Sequence, residues 1–124
     1  MENLKSILIV EDDPFLTEIY VSKLEPRGYN IDAARDGEEA LEFLKTKSFD
    51  LVVLDINLPK ISGWDVLREI RNNPNTHDLK VIIVSNFENE DQQLTEELGV
   101  KKFIVKIYHT PEDIAQEIEQ ELAI

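Results

Sequence analysis

Four short apolar runs each end in residues able to hold a metal ion and a phosphoryl group. ILIV is followed by Glu11 and Asp12, LVVL by Asp55, VIIV by Ser85 and FIV by Lys106. Three carboxylates brought together can bind a divalent cation, a hydroxyl and an ammonium can each take a phosphoryl oxygen, and one carboxylate can attack phosphorus. These residues are far apart in the chain. The chemistry exists only if the runs are neighbouring parallel strands whose C-terminal ends share one crevice, the place where open α/β sheets bind ligands.

The spacing of apolar residues supports that requirement. Five strand candidates alternate with five helix candidates, without a low-complexity linker or repeat, which predicts a parallel sheet covered by helices on both faces. Ser6 to Val10 reads as the first strand. Pro14 suits the first turn of the next helix, where its missing N–H costs nothing. That helix is expected to turn Phe15, Leu16, Ile19, Tyr20 and Leu24 inward and to stop near Pro26, Arg27 and Gly28. Tyr29 to Ala33 is the second strand. Asp36 and Gly37 open a second helix with Ala40, Leu41, Phe43 and Leu44 inward, and Leu51 to Leu54 is the most apolar and most central strand. Asn57 to Gly63 forms a loop stiffened by Pro59. Trp64, Leu67 and Ile70 mark a third helix, broken at Asn72 to Asn75, and Val81 to Val84 is the fourth strand. The following helix, around Glu90 to Leu98, has only Leu94 and Leu98 as anchors and is expected to be the loosest element. Gly99 caps it, and Lys102 to Val105 is the fifth strand. Thr110, with Pro111 at the first helical position, starts a last helix with Ile114, Ile118 and Leu122 inward.

A length of 124 residues suits one domain able to bury roughly two thirds of its unfolded surface. With 26 acids against 13 bases the net charge is −13, which repels a nucleic-acid backbone or an anionic membrane and favours a protein as partner. The absence of cysteine excludes disulfides and thiolate metal sites. The opening MENLKS lacks the apolar stretch of a secretion signal, and no apolar run is long enough to span a bilayer. A soluble, cytoplasmic protein is expected.

In the order and spacing of LIVEDDP, VVLDINLP followed by SGW, VIIVSN and FIVK, the chain resembles the receiver domain of bacterial two-component response regulators, over essentially all of residues 1–124. The resemblance implies a flavodoxin-like (βα)5 three-layer sandwich of the α/β class, with a parallel five-stranded sheet in the order 2-1-3-4-5. It also implies a phosphorelay switch, not an enzyme acting on a metabolite. Asp55 would take a phosphoryl group from a sensor histidine kinase or a histidine phosphotransfer protein. Glu11, Asp12 and Asp55, with the backbone carbonyl of Asn57, would hold Mg2+. Lys106 would neutralise one phosphoryl oxygen and Ser85 would hydrogen-bond another, while Phe103 would turn in behind Ser85 on phosphorylation. The surface of the fourth helix, fifth strand and fifth helix would then engage a downstream effector protein. The physical reason for a cation is plain: carboxylates about 4 Å apart repel by roughly 4 kcal/mol per pair at an effective dielectric of ~20. Mg2+ accepts one or two carboxylates and keeps waters for phosphate oxygens to replace. Five acids and no base lie between Glu88 and Leu98, and five more with no base between Thr110 and Ile124. They suggest an acidic partner surface that includes Glu96, Glu97 and Glu117.

Three positions depart from the family pattern. Ile107 stands where proline, joined by a cis bond, usually follows the lysine. A cis bond to a non-proline residue costs about 2.5 to 4 kcal/mol, so Lys106–Ile107 is expected to be trans, leaving the aim of Lys106 open. Asn86 replaces a small residue after Ser85 and narrows access to the acceptor. Phe87 is large and apolar, and is expected to shield the acyl phosphate from water. Plainer readings apply to other residues: Asp13 as a helix-start acid, His77 and His109 as solvated loop residues, Trp64 as a packing residue. Rival functions are weaker. A haloacid-dehalogenase-type phosphohydrolase would want an acid where Asn57 stands, and a nucleotide-binding domain would want a glycine-rich loop where EDDP stands. A receiver-like interaction module that is never phosphorylated is the stronger alternative.

Overall fold

The computed structural model describes residues 4–123; residues 1–3 of the MENLKS segment, and Ile124, lie outside the described residues. Strands β1 (Ser6–Val10), β2 (Asn30–Ala34), β3 (Leu51–Asp55), β4 (Lys80–Ser85) and β5 (Lys102–Val105) form one sheet. All its pairings are parallel, in the order β2-β1-β3-β4-β5. This is the flavodoxin-like arrangement that the resemblance implied. Helices α1 (Pro14–Leu24) and α5 (Pro111–Leu122) cover one face. Helices α2 (Gly37–Thr46) and α3 (Gly63–Asn72) cover the other, joined there by Leu98 at the end of the short α4 (Gln92–Glu97).

Alternation along the strands builds the two cores. Ile7, Ile9, Leu51, Val53, Ile82, Val84 and Ile104 face α1 and α5, and Leu8, Val10, Val52, Leu54, Val81 and Ile83 face α2 and α3. Every residue of β3 is buried, as a strand paired on both edges and covered on both faces must be. Each helix starts on a side chain that accepts a backbone N–H: Asp13, Asp36, Ser62, Asp91 and Thr110. At Ser62 and Thr110 the acid three positions on, Asp65 or Asp113, completes a capping box. The helix-start reading of Asp13 agrees with its bond from the Phe15 N–H.

The inner face of α1 differs from the expected one. Phe15 is 76% exposed and Ile19 39%, while Leu16, Tyr20, Val21 and Leu24 pack on the core. Residues 16, 20 and 24 form one row along a 3.6-residue helix, with 21 beside it, and 15 and 19 fall on the flank away from the sheet. Strand β2 begins one residue later than expected, at Asn30, and α4 is shorter, at Gln92–Glu97.

No residue of α4 is buried, so its position depends on a neighbour. Arg71, in the last turn of α3, donates from Nε to the Leu98 carbonyl at 2.7 Å and from Nη2 to Gly99 at 3.4 Å. Its Nη1 reaches Leu79 O at 2.6 Å and His77 O at 3.1 Å. One guanidinium thus fastens the end of α4 to α3 and to the start of β4. Gly99, at φ +64°, then turns the chain toward β5, a conformation that suits glycine.

Candidate functional site

Strand register brings the reactive residues together. In the β1–β3 ladder Val10 lies opposite Leu54, so Glu11 and Asp55 leave adjacent strands side by side. Asp55 pairs with Val84, which places Ser85 next in the row, and Ser85 pairs with Val105, after which comes Lys106. All four therefore emerge at one edge of the sheet. Glu11, Asp55 and Ser85 are 4%, 3% and 3% exposed, whereas Asp12 is open to solvent.

One carboxylate oxygen from each of Glu11, Asp12 and Asp55 lies within 4.8 Å of the others. Hard oxygen donors at this spacing fit a divalent cation, and the exposed Asp12 leaves the water-facing side that Mg2+ needs. Lys106 completes the charge balance, its Nζ 2.7 Å from Glu11 Oε1 and 3.2 Å from Asp55 Oδ2. There is no cis peptide among the described residues, so Lys106–Ile107 is trans, as its chemistry demands. The loop after Lys106 forms a 3-10 turn, Lys106–Tyr108, and the lysine nonetheless points into the acids.

Burial pushes the Glu11 carboxyl up to about 7; a hydrogen bond from Lys106 opposes the rise and the charge of Asp55 adds to it. For Lys106 burial acts downward, but the two carboxylates outweigh it and hold the ammonium above its ordinary range. The Asn57 N–H donates to Asp55 Oδ1 at 2.9 Å, which fixes the carboxylate's orientation. The Ser85 hydroxyl faces Asn57 Oδ1 at 3.5 Å and accepts from the Phe87 N–H at 3.1 Å. Asn86 is exposed, Phe87 is 63% exposed, and Trp64 and Phe103 pack partly buried against the α2–α3 core.

Gly63, read from the sequence only as the end of a loop, has a tighter role. A Cβ there would meet the backbone of Asp55 and come within 2.7 Å of Ile56 Cα, and its own N–H bonds Ile56 O at 3.0 Å. The start of α3 thus lies directly against the backbone that carries Asp55. The SGW triplet after the loop was the signal. Nothing in the sequence marked Arg71.

The acidic surface is less uniform than the sequence suggested. On α5, Glu112 and Glu119 pair with Arg27, and Glu117 pairs with Lys102. Among the described residues the acids from Glu88 to Glu97 have no such cationic partners.

Residues 7–119 match the family profile of the response regulator receiver domain. The chain belongs to that family: it is a receiver domain of two-component response regulators. It is 40% identical over 114 residues to a probable cyclic di-GMP phosphodiesterase of Vibrio cholerae, covering 90% of this chain and 26% of that protein. Its fold superposes with a TM-score of 0.87 on a CheY-like receiver domain protein of Methanospirillum hungatei, at 28% identity over 98% of this chain and 95% of the other. The response regulator TrrA of Thermotoga maritima, solved in complex with Mg2+-BeF, gives 0.82 at 33% identity, over 96% and 99% of the two chains. The chain spans less than half the length of relatives such as these: 26% of the Vibrio cholerae protein and 49% of the transcriptional regulatory protein DltR of Streptococcus agalactiae. Among the described residues no helix is long and apolar enough to cross a membrane.

Proposed function

We propose that residues 1–124 act as one phosphoacceptor switch, with Asp55 as the residue that is phosphorylated. The observation that carries this reading is the convergence of three carboxylates within 4.8 Å, with an ammonium on two of them. Glu11, Asp12 and Asp55, with the Asn57 carbonyl, would hold Mg2+, which supplies charge neutralisation for phosphoryl oxygens when bound. The Asp55 carboxylate attacks phosphorus. A P–O bond to Asp55 forms as the P–N bond to a donor phosphohistidine breaks, and the product is an acyl phosphate. The Lys106 ammonium, already at Asp55 Oδ2, meets the added negative charge, and the Ser85 hydroxyl offers a hydrogen bond. Phe103, partly buried on β5, is the ring that follows Ser85.

The donor is a histidine kinase or histidine phosphotransfer protein and the reader is an effector protein, with the domain working in the cytoplasm as a switch and not as a hydrolase. Incubation with Mg2+ and acetyl phosphate, read by intact mass, tests this. The expected gain is one phosphate, stable to acid and labile to base, absent in Asp55→Asn. A chain that gains none is an interaction module working without phosphorylation.

A further inference from the structure

A pocket of about 500 Å3 opens beside the phosphoacceptor site, sharing Asn57, Ser85 and Phe103 with it but not Glu11, Asp12, Asp55 or Lys106. Its lining includes three aromatic residues, Trp64, Phe87 and Phe103, and three acids, Glu88, Glu90 and Asp91. The volume is within the range of ligand and side-chain sites. Aromatic faces carry a negative quadrupole and carboxylates carry full charge, so the ligand class that this lining suits is a cation with a flat, weakly hydrated body.

Among the described residues no lysine, arginine or histidine pairs with Glu88, Glu90 or Asp91, whereas the acids of α5 are paired with Arg27 and Lys102. Glu88 accepts one bond from the Tyr108 hydroxyl at 2.7 Å and Asp91 caps α4 through the Leu94 N–H at 2.9 Å. Each carboxylate keeps acceptor capacity beyond these bonds.

We infer that this pocket receives the guanidinium of an arginine presented by a partner protein. Arginine suits it better than lysine, because a planar guanidinium stacks on rings while offering several donors to carboxylates. A protein segment suits it better than a free small cation, because Glu96 and Glu97 continue the negative field along α4 and attract further basic residues. The inference rests on the reading of the chain as a signalling domain with protein partners, and it adds the chemistry by which one partner is held.

Trp64 is the only tryptophan in the chain, so its emission reports occupancy. The probes are the acetylated, amidated pentapeptide Ala-Lys-Arg-Lys-Ala, the same peptide with lysine in place of arginine, and N-acetylargininamide. The arginine peptide is expected to give a saturable change that weakens with salt. The lysine peptide and the single amide should bind roughly tenfold more weakly. The double variant Glu90→Gln, Asp91→Asn should lose about the same factor while keeping an α4 cap, since asparagine caps as well as aspartate. Phe87→Ala, which removes an exposed ring, should weaken binding too. A response that rises without saturating, or that both variants leave unchanged, overturns the pocket. Equal affinity for the peptide and the single amide overturns the protein segment. Phosphate uptake from acetyl phosphate, measured on the wild type alongside, separates the two readings: a wild type that takes up phosphate but does not bind the arginine peptide removes only this inference, and one that binds the peptide but takes up no phosphate removes only the phosphoacceptor assignment.

Discussion

Lys106 reaches across the ends of β3 and β4 to donate to Glu11, Nζ to Oε1 at 2.7 Å, joining the fifth strand to the first. The bond shows how a buried acid is kept among like charges. The ammonium offsets part of the acids' repulsion, and burial still leaves Glu11 reluctant to ionise.

The pH dependence of the metal-free protein follows. A Glu11 carboxyl raised from 4.5 to about 7 means that between those values the folded state binds a proton that the unfolded chain has released. Stability from this group is therefore fully present below pH 4.5 and falls as pH rises to about 7, by on the order of 3 kcal/mol. Urea denaturation in EDTA at pH 5 and pH 8 should show the wild type losing more stability with rising pH than Glu11→Gln. Parallel curves for the two would refute it.

Adding Mg2+ should reverse part of that loss. A ligand that binds only the native state at a hundredfold excess over its dissociation constant adds about 2.7 kcal/mol. Because Asp12 is exposed, Asp12→Ala should melt like the wild type in EDTA yet gain little from Mg2+. Thermal melts of both proteins with and without the ion decide it, and an equal gain in the two would remove Asp12 from the metal set.

Much of this site was legible in the sequence, for a definite reason. A buried strand reads as a continuous apolar run, and the residue that ends it sits at the sheet edge, so Glu11, Asp55, Ser85 and Lys106 announced themselves by position. Features depending on helix phase or side-chain reach did not. Phe15 and Ile19 look like core residues until the angular position of α1 is fixed. The aim of Lys106 was left open by Ile107 in place of a cis-proline; the chain makes a 3-10 turn over Lys106–Tyr108, and the lysine reaches both acids. The pairing of Glu117 with Lys102 was invisible because the partners lie on different elements.

Arg71 yields a stability prediction. Its guanidinium serves four carbonyls on two segments, and no lysine reproduces that planar fork. Arg71→Lys and Arg71→Met should each destabilise the fold, by about 3 kcal/mol for methionine. Amide exchange in α4 should accelerate more than in α2. Uniform acceleration across both helices would mean that Arg71 does not hold α4 in particular.

Phe87 yields a prediction about the lifetime of a phosphorylated form. Its N–H is bound to the Ser85 hydroxyl at 3.1 Å, which fixes the backbone beside Ser85, while the residue is 63% exposed and contributes little to folding. An apolar ring there would hold water away from an acyl phosphate on Asp55. A carboxylate in its place can orient a water for attack, a contribution typical of general bases. Phe87→Glu should therefore fold normally, take up phosphate from acetyl phosphate, and lose it about tenfold faster than the wild type. The decay of the base-labile phosphate after removal of the donor measures this. An unchanged rate in a folded variant would show that the phosphoryl group is sheltered by other residues.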